Sequence, residues 1–389
     1  MNLTALDLIP KLAGFKLSHL LGTVPPTPIN LTFSVTNLCQ SRCLTCGIWR
    51  FYQDDPKRLE DELSLDEIAQ VFRSIGHVYF FNVSGGEPFL RNDFEEIVRL
   101  ALRHLTPAVV HCPTNVLGPS RVLSGTRKIL EIIARERPGT PFTIKPSFDG
   151  VGDEHDRIRG VPGNFQRLLT AVDGLKRLKR EFPDLHVGLG TVISQHNLAS
   201  LVSIQQRAMA LEVDTYISEV AEERAEMANA AGGMTPSPDE YERAIRPFKE
   251  RILATLPGLR GLARVTQTLR TLYYDLTVRI LRERRQVLAC HAGISNAHLS
   301  AYGDVWPCAV LGQGRSMGNV RDHGLDFRAV WRSRQARDVR AFIKGRTCAC
   351  PLANQAYANL LLDPVSLMRA ALALLSPGRV TGPGTGRPR

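Results

Sequence analysis

Short runs of apolar residues alternate with longer amphipathic stretches from Asn30 to about residue 225, and this rhythm predicts strands and helices in turn. The strand candidates are Asn30–Val35, Val78–Val83, Ala108–Cys112, Phe142–Ser147, His186–Ile193 and Thr215–Val220. Their spacing predicts βαβ units around a parallel sheet. Ser64-Leu65-Asp66-Glu67 reads as a capping box, and Asn92-Asp93-Phe94-Glu95 opens the next helix in the same manner. Six βα units predict an open partial barrel, with chemistry at the carboxyl ends of its strands.

After Glu222 the alternation stops. Residues 236–286 read as long helices, residues 287–350 hold four of the eight cysteines, and 351–376 reads as one final helix. The expected organisation is an amphipathic leader (1–29), a barrel (30–225), a helical insertion (226–286), a cysteine-rich domain (287–350), a C-terminal helix (351–376) and a disordered Pro/Gly/Arg tail (377–389).

With 389 residues, 43% hydrophobic and 22% charged, the chain is long and apolar enough to bury a full-size core. Its formal charge of +11 suits nucleic acid, a phosphorylated substrate or a membrane surface, and equally a solvated basic face. Met1 to Thr23 carries Asp7, Lys11 and Lys16 and has no small-residue cleavage site, so it is not a secretory signal. A cytoplasmic location follows as the expectation, and eight cysteines there point to metal or catalysis rather than disulfides.

Directly after the first strand comes Cys39-Gln-Ser-Arg-Cys43-Leu-Thr-Cys46. Three thiolates in one loop can hold one face of an iron–sulfur cubane and leave the fourth iron open to a small molecule. Structural zinc is the alternative, but it prefers four ligands, and no nearby Cys or His completes such a set. The second strand ends in Ser84-Gly85-Gly86-Glu87-Pro88, where glycines allow close backbone approach and Glu87 can accept hydrogen bonds from a ligand ammonium. The third strand ends at Thr114-Asn115, and the fourth in Ser147-Phe148-Asp149-Gly150, both where ligand contacts should fall.

The cysteine spacing, followed one βα unit later by Gly-Gly-Glu-Pro, resembles the radical SAM superfamily. The resemblance implies an α/β fold, a partial (β/α)6 radical SAM barrel with a small C-terminal cysteine-rich auxiliary-cluster domain and extra helices. It implies a [4Fe–4S] cluster on Cys39, Cys43 and Cys46, its open iron chelated by the amino and carboxylate groups of S-adenosylmethionine. One-electron reduction, by flavodoxin or ferredoxin, would then release a 5′-deoxyadenosyl radical that takes a hydrogen atom from substrate. It places Gly85, Gly86 and Glu87 at the cofactor, with Ser147 and Asp149 near its methionine and ribose. Asn115 and Thr191 join them as strand-end candidates, Thr191 toward the adenine. Many members carry an aromatic before the third cysteine; here that residue is Thr45.

The segment Cys290-His-Ala-Gly, then Tyr302-Gly-Asp-Val-Trp-Pro-Cys308, Gly318-Asn319 and Trp331-Arg-Ser, resembles the SPASM and Twitch auxiliary domains. With Cys348 and Cys350 it supplies four thiolates, enough for one auxiliary [4Fe–4S] cluster, which would accept an electron or anchor substrate. Zinc tolerates the same four ligands. Cys112 has no partner in sequence and reads as a small hydrophobe.

The substrate stays unidentified at this level, and several classes compete. A small-molecule dehydrogenase or epimerase needs only the barrel and the auxiliary cluster. A peptide maturase usually carries a leader-binding module, for which the 38 residues before Cys39 are too few. A lipid-modifying enzyme, peripheral at the inner membrane surface, would explain the basic, apolar stretches Leu3–Leu21, Leu269–Arg285 and Leu360–Leu375, which packing against the barrel explains equally. A cluster-bearing nucleic-acid binder is disfavoured, since no nucleic-acid motif is present. Glu219 and Glu222, at the end of the sixth strand, are the catalytic candidates for taking a proton during oxidation.

Overall fold

The computed structural model describes residues 5–229 and 232–375 of the chain. Six parallel strands form the barrel wall: β1 (Asn30–Thr36), β2 (Phe80–Gly85), β3 (Val109–Thr114), β4 (Phe142–Pro146), β5 (Leu185–Ile193) and β6 (Thr215–Val220). Around them run α1 (Ala5–Leu21), the one-turn α2 (Phe51–Asp54), α3 (Leu65–Ile75), α4 (Phe94–His104), α5 (Pro119–Glu136), α6 (Asp153–Arg159), α7 (Asn164–Glu181) and α8 (Leu201–Met209).

Alternation along the strands sorts side chains between two surfaces. Leu31, Phe33 and Val35 of β1 are fully buried, and Phe33 and Phe81 meet Phe72 of α3 edge-on, with ring centroids 5.7 and 5.6 Å away. The opposite parity carries Thr32, Ser34, Asn82, His111, Lys145 and Glu219, so the lumen is polar. In α3, Ile68, Val71, Phe72 and Ile75 fall at helical spacing on the buried face. Its capping box forms as read: Glu67 N–H donates to Ser64 Oγ at 3.3 Å, and Ser64 N–H to Glu67 Oε2 at 2.9 Å. At α4 the N-terminal Asp93 makes no cap hydrogen bond; its carboxylate accepts from Arg91 Nε at 2.7 Å instead.

The sheet has eight strands rather than six. β7 (Asn296–Leu299) pairs in parallel with β1, from Asn30↔Asn296 to Phe33↔Leu299, and β8 (Val305–Trp306) pairs antiparallel with β7. The first strand of the cysteine-rich segment is thus part of the barrel sheet, and Ser34 Oγ lies 2.7 Å from His298 Nε2 inside it. Four residues buried on both faces give no alternation to read.

The remaining helices are α9 (Pro238–Thr255), α10 (Gly261–Glu283), α11 (Phe327–Arg332), α12 (Arg334–Lys344), α13 (Ala353–Leu362) and α14 (Pro364–Leu375). The single helix expected over 351–376 is two, because Pro364 has no N–H to continue α13; Asp363 instead accepts from Ser366 N–H at 2.8 Å and starts α14. In α10, Arg270 covers the free edge of β6, donating to Tyr216 O at 3.0 Å and Thr215 Oγ1 at 3.2 Å. Tyr273 and Tyr274 beside it are fully buried, so α10 packs through this face, and it ends at Glu283 within the stretch Leu269–Arg285. On α1, Phe15 is buried against Ile294 and Leu362, while Ile9, Leu17, Leu20 and Leu21 stay exposed. No helix among the described residues is long and apolar enough to cross a membrane. The tail from 376 onward and residues 1–4 of the leader lie outside the described residues.

Candidate active site

The cysteine loop leaves the end of β1 and is tied down by backbone hydrogen bonds from three other segments. Gly86 N–H donates to Thr36 O at 2.7 Å and Glu87 N–H to Leu38 O at 2.8 Å. Arg42 and Leu44 donate to Arg159 O and Ile158 O at 3.1 and 2.9 Å, and Gly47 donates to Met227 O at 2.6 Å. Any side chain at Gly86 would place its Cβ 2.2 Å from Leu38 O, and Gly85, at φ +103°, would put one 2.1 Å from Thr36 O. The Gly-Gly-Glu-Pro turn therefore clamps the cysteine loop through its backbone.

Cys39, Cys43 and Cys46 are free and part-buried. Burial, reinforced by mutual repulsion, pushes the Cys39 thiol up to about 11 and that of Cys46 up to about 12. Such thiols keep their protons until a cation replaces them. Among the described residues no three Cys, His, Asp or Glu side chains converge on a single ion. A cubane distributes its thiolates over separate irons, so this donor set fits it.

The residues expected at the cofactor divide into those facing the loop and those consumed by the scaffold. Asn115 faces it: its Nδ2 lies 3.6 Å from Cys39 Sγ and 3.3 Å from Gln40 Oε1. Glu87 is 2% exposed and already accepts from Asn115 N–H and Thr114 Oγ1, both at 2.7 Å, although burial still lifts its carboxyl to about 6. Thr191 spends its hydroxyl on Phe148 O and Tyr216. Ser147 joins the sheet by its N–H to Thr114 O at 3.0 Å. Asp149 accepts from Val192 N–H at 2.8 Å and from Arg159 Nη1 at 3.1 Å. That ion pair gives a role to Arg159, which in sequence is one charge in the run Asp153–Gly160 that resembles SPASM and Twitch relatives. Arg159 is part-buried, has Cys43 and Cys39 as neighbours, and keeps its Nε without a partner. Its place ten residues after Asp149, among other charges, gave only a weak signal.

Glu219 and Glu222 part company. Glu219 faces the lumen and lies 3.6 Å from Lys145 Nζ, beyond hydrogen-bonding distance. Glu222 is buried against Arg224 at 2.6 Å, and its Oε1 has no partner. Arg224 also reaches Glu226 at 3.4 Å, whose carboxyl burial raises to about 7. This loop runs between the two cysteine sets: Asn229 Nδ2 donates to Thr45 O at 2.8 Å, while a cavity of about 710 Å³ is lined by Glu222, Ser237, Ile280, Arg284 and Cys350.

At the second set, Cys290, Cys348 and Cys350 line one small cavity with Gln286 and Asn359. Cys308 is buried and feels the charges of Cys290 and Cys348, so all four thiols share a neighbourhood. Burial pushes Cys290 up to about 11 and Cys308 and Cys350 higher. Asn319 braces the hairpin beneath them, donating to Tyr302 O at 3.0 Å and Asp304 Oδ1 at 3.1 Å. Cys112 is fully buried in the hydrophobic core.

An eight-stranded sheet with a clamped three-cysteine loop and a second set of four cysteines defines a class. Residues 33–202 match the Radical SAM superfamily and residues 290–351 the SPASM iron-sulfur cluster-binding domain. The chain thus carries a radical SAM domain and a SPASM domain, which imply a [4Fe–4S] cluster bound with S-adenosylmethionine and auxiliary iron–sulfur binding. Among curated relatives, the AdoMet-dependent heme synthase of Methanosarcina barkeri is 25% identical across 83% of this chain and 88% of its own. Mycofactocin maturase MftC of Mycolicibacterium smegmatis is 28% identical across 45% of this chain and 40% of its own. Native anSMEcpe with bound AdoMet and Kp18Cys peptide shares the fold at a TM-score of 0.56 and 15% identity, covering 82% of this chain and 84% of its own. SuiB of Streptococcus suis does so at 0.57 and 13%, over 84% and 71%.

Proposed function

We propose that the enzyme oxidises a carboxylate-bearing small molecule seated in the barrel lumen between the two cysteine sites, held there by Lys145 and Glu219. The single observation that carries this reading is their loose ion pair. Lys145 shares the parity of Ser147 and lies one inward step below it, in the layer beneath the cofactor loops. Gly190 leaves room for it, since a Cβ there would sit 3.1 Å from Lys145 Cδ and Cε. At 3.6 Å from Glu219, and with side chains 16% and 34% exposed, the pair is open to a substrate that inserts between them. When bound, the cluster and S-adenosylmethionine supply a hydrogen-abstracting radical, and the auxiliary cluster supplies an electron acceptor. Lys145 would then hold a substrate carboxylate, and Glu219 would take the proton released by oxidation. Glu222, locked to Arg224, holds the connecting loop in place.

The heme synthase relative, matched over most of both chains, makes carboxylated porphyrins the first candidates. The mycofactocin maturase relative, matched over less than half, supports peptides as the second. The test reconstitutes the enzyme with iron and sulfide without oxygen and reduces it with dithionite or with flavodoxin or ferredoxin. It then follows 5′-deoxyadenosine and product mass with each candidate. Lys145→Met is expected to raise KM at least tenfold, and Glu219→Gln to lower kcat by a similar factor. Full turnover in both variants overturns the assignment.

A membrane-surface reading has its own observation. Ile9, Leu17, Leu20 and Leu21 on α1 and Val365, Met368 and Leu372 on α14 are exposed apolar side chains on helices that also carry Lys16 and Arg369. Flotation with anionic vesicles, and its loss on Leu20→Ser/Leu21→Ser, decides it. Nucleic-acid binding is set aside unless affinity for DNA or RNA falls steeply with salt.

A further inference from the structure

Two carboxamides at the auxiliary site have their orientations fixed by partners other than cysteine. Gln286 Nε2 lies 3.0 Å from Ile343 O. A carbonyl oxygen only accepts, so this atom is the amide nitrogen, and its second N–H reaches Cys348 Sγ at 3.2 Å. Asn359 Oδ1 accepts from the backbone N–H of His291 at 2.9 Å and from Gln355 Nε2 at 2.8 Å. A backbone N–H only donates, so the Asn359 nitrogen is turned the other way, and Asn359 and Cys290 line the same small cavity. Gln286 comes from just after α10 and Asn359 from α13, so the two donors reach the cavity from separate elements.

The three-cysteine loop is treated differently. Ser41 Oγ stands 3.1 Å from Cys43 Sγ and equally 3.1 Å from Arg159 O, and its single proton goes to the carbonyl if it serves that acceptor. Asn115 Nδ2 makes a longer contact with Cys39 Sγ, 3.6 Å against the 3.2 Å of Gln286 to Cys348, with its other N–H on Gln40 Oε1 at 3.3 Å. An N–H aimed at a thiolate stabilises the more negative, reduced state of a cluster and so raises its potential.

We propose that Gln286 and Asn359 are positioning residues that raise the potential of the auxiliary cluster, making it the acceptor for an electron taken from substrate. This rests on the oxidative reading above. A substrate that has given one hydrogen atom to the deoxyadenosyl group completes a two-electron oxidation by losing one electron to the auxiliary site and one proton to Glu219 or water. A ferredoxin-class protein then removes that electron.

The test needs no substrate, so its outcome is separate from that of the substrate assignment. Full-length protein with Cys39, Cys43 and Cys46 changed to Ala, reconstituted with iron and sulfide, retains only the auxiliary site. Its reduction is followed by EPR against poised potentials, alongside Gln286→Met, Gln286→Glu and Asn359→Leu in the same background. Each loss of a donor is expected to lower the ratio of reduced to oxidised cluster at fixed potential by roughly tenfold, with Gln286→Glu lower still. Unchanged midpoints in variants with unchanged iron content overturn the proposal. If a variant loads no iron, side-chain ¹⁵N of labelled glutamine and asparagine is read by pulsed EPR in the parent. Coupling to the cluster upholds the donor assignment, and its absence overturns it.

Discussion

The two cysteine sites are built by opposite means. Cys39, Cys43 and Cys46 sit in one short loop at a strand end, shaped by a glycine turn one βα unit away. Cys290 and Cys308 flank a hairpin, Cys348 and Cys350 come from a distant loop, and the pocket that Cys290, Cys348 and Cys350 line is completed by α10 and α13. A site of the first kind depends on local geometry; one of the second kind exists only when the tertiary structure does. The auxiliary site is therefore the more sensitive reporter of how the helical insertion and the barrel hold together.

The largest expected effect separates the sites outright. Changing Cys39, Cys43 and Cys46 together to Ala should abolish 5′-deoxyadenosine formation while the auxiliary EPR signal persists, as chromatography and EPR on one sample would show. Changing Cys348 and Cys350 to Ala should spare cofactor cleavage and remove product. It should also lower Tm, because β7 carries the auxiliary segment into the barrel sheet. Equal Tm with and without the auxiliary cluster would break the proposed dependence on tertiary structure.

Arg159→Met sharpens the barrel side. It leaves Asp149 buried without its cation, at a cost of about 3–5 kcal/mol in denaturant unfolding, and should weaken S-adenosylmethionine binding. Between the sites, the folded state holds the Glu226 proton more tightly than the unfolded chain, because burial raises its carboxyl from 4.5 to about 7. Stability is therefore expected to fall as pH rises from about 4.5 to 7 and then level off, and Glu226→Gln should flatten that decline. The smallest effect is a control: Ser64→Ala removes one cap of α3, costs about 1 kcal/mol, and leaves iron at both sites unchanged.

Much of this architecture was legible in the chain, for a reason peculiar to the barrel. Parallel strands buried on both faces normally read as unbroken apolar runs. Here the lumen side carries Thr32, Asn82, His111 and Lys145, which restores the alternation and exposes each strand to reading. β7 lacks that contrast, and the Asp363-Pro364 boundary is marked by turn chemistry while the apolar pattern runs on through it. The cysteine motifs were legible because their spacing is local. The uses of Glu87 and Asp149 were not, since a carboxylate's type gives no hint of whether ligand or scaffold occupies it. Lys145 emerges only when strand parity is combined with knowledge of which face is the lumen.

The seam between β1 and β7 bears on how the chain is made. Ser34 meets His298 across 264 residues of sequence, so one edge of β1 stays unpaired until synthesis has reached Leu299. At translation speeds of about 5–20 residues per second, that wait is roughly 10 to 50 s. During it, β2 to β6 can assemble on one side of β1 while the other side offers a bare row of backbone donors and acceptors to any passing strand. Protection of that edge until β7 arrives is therefore what this seam demands of folding, and co-expressed chaperones should raise yield more than added iron does.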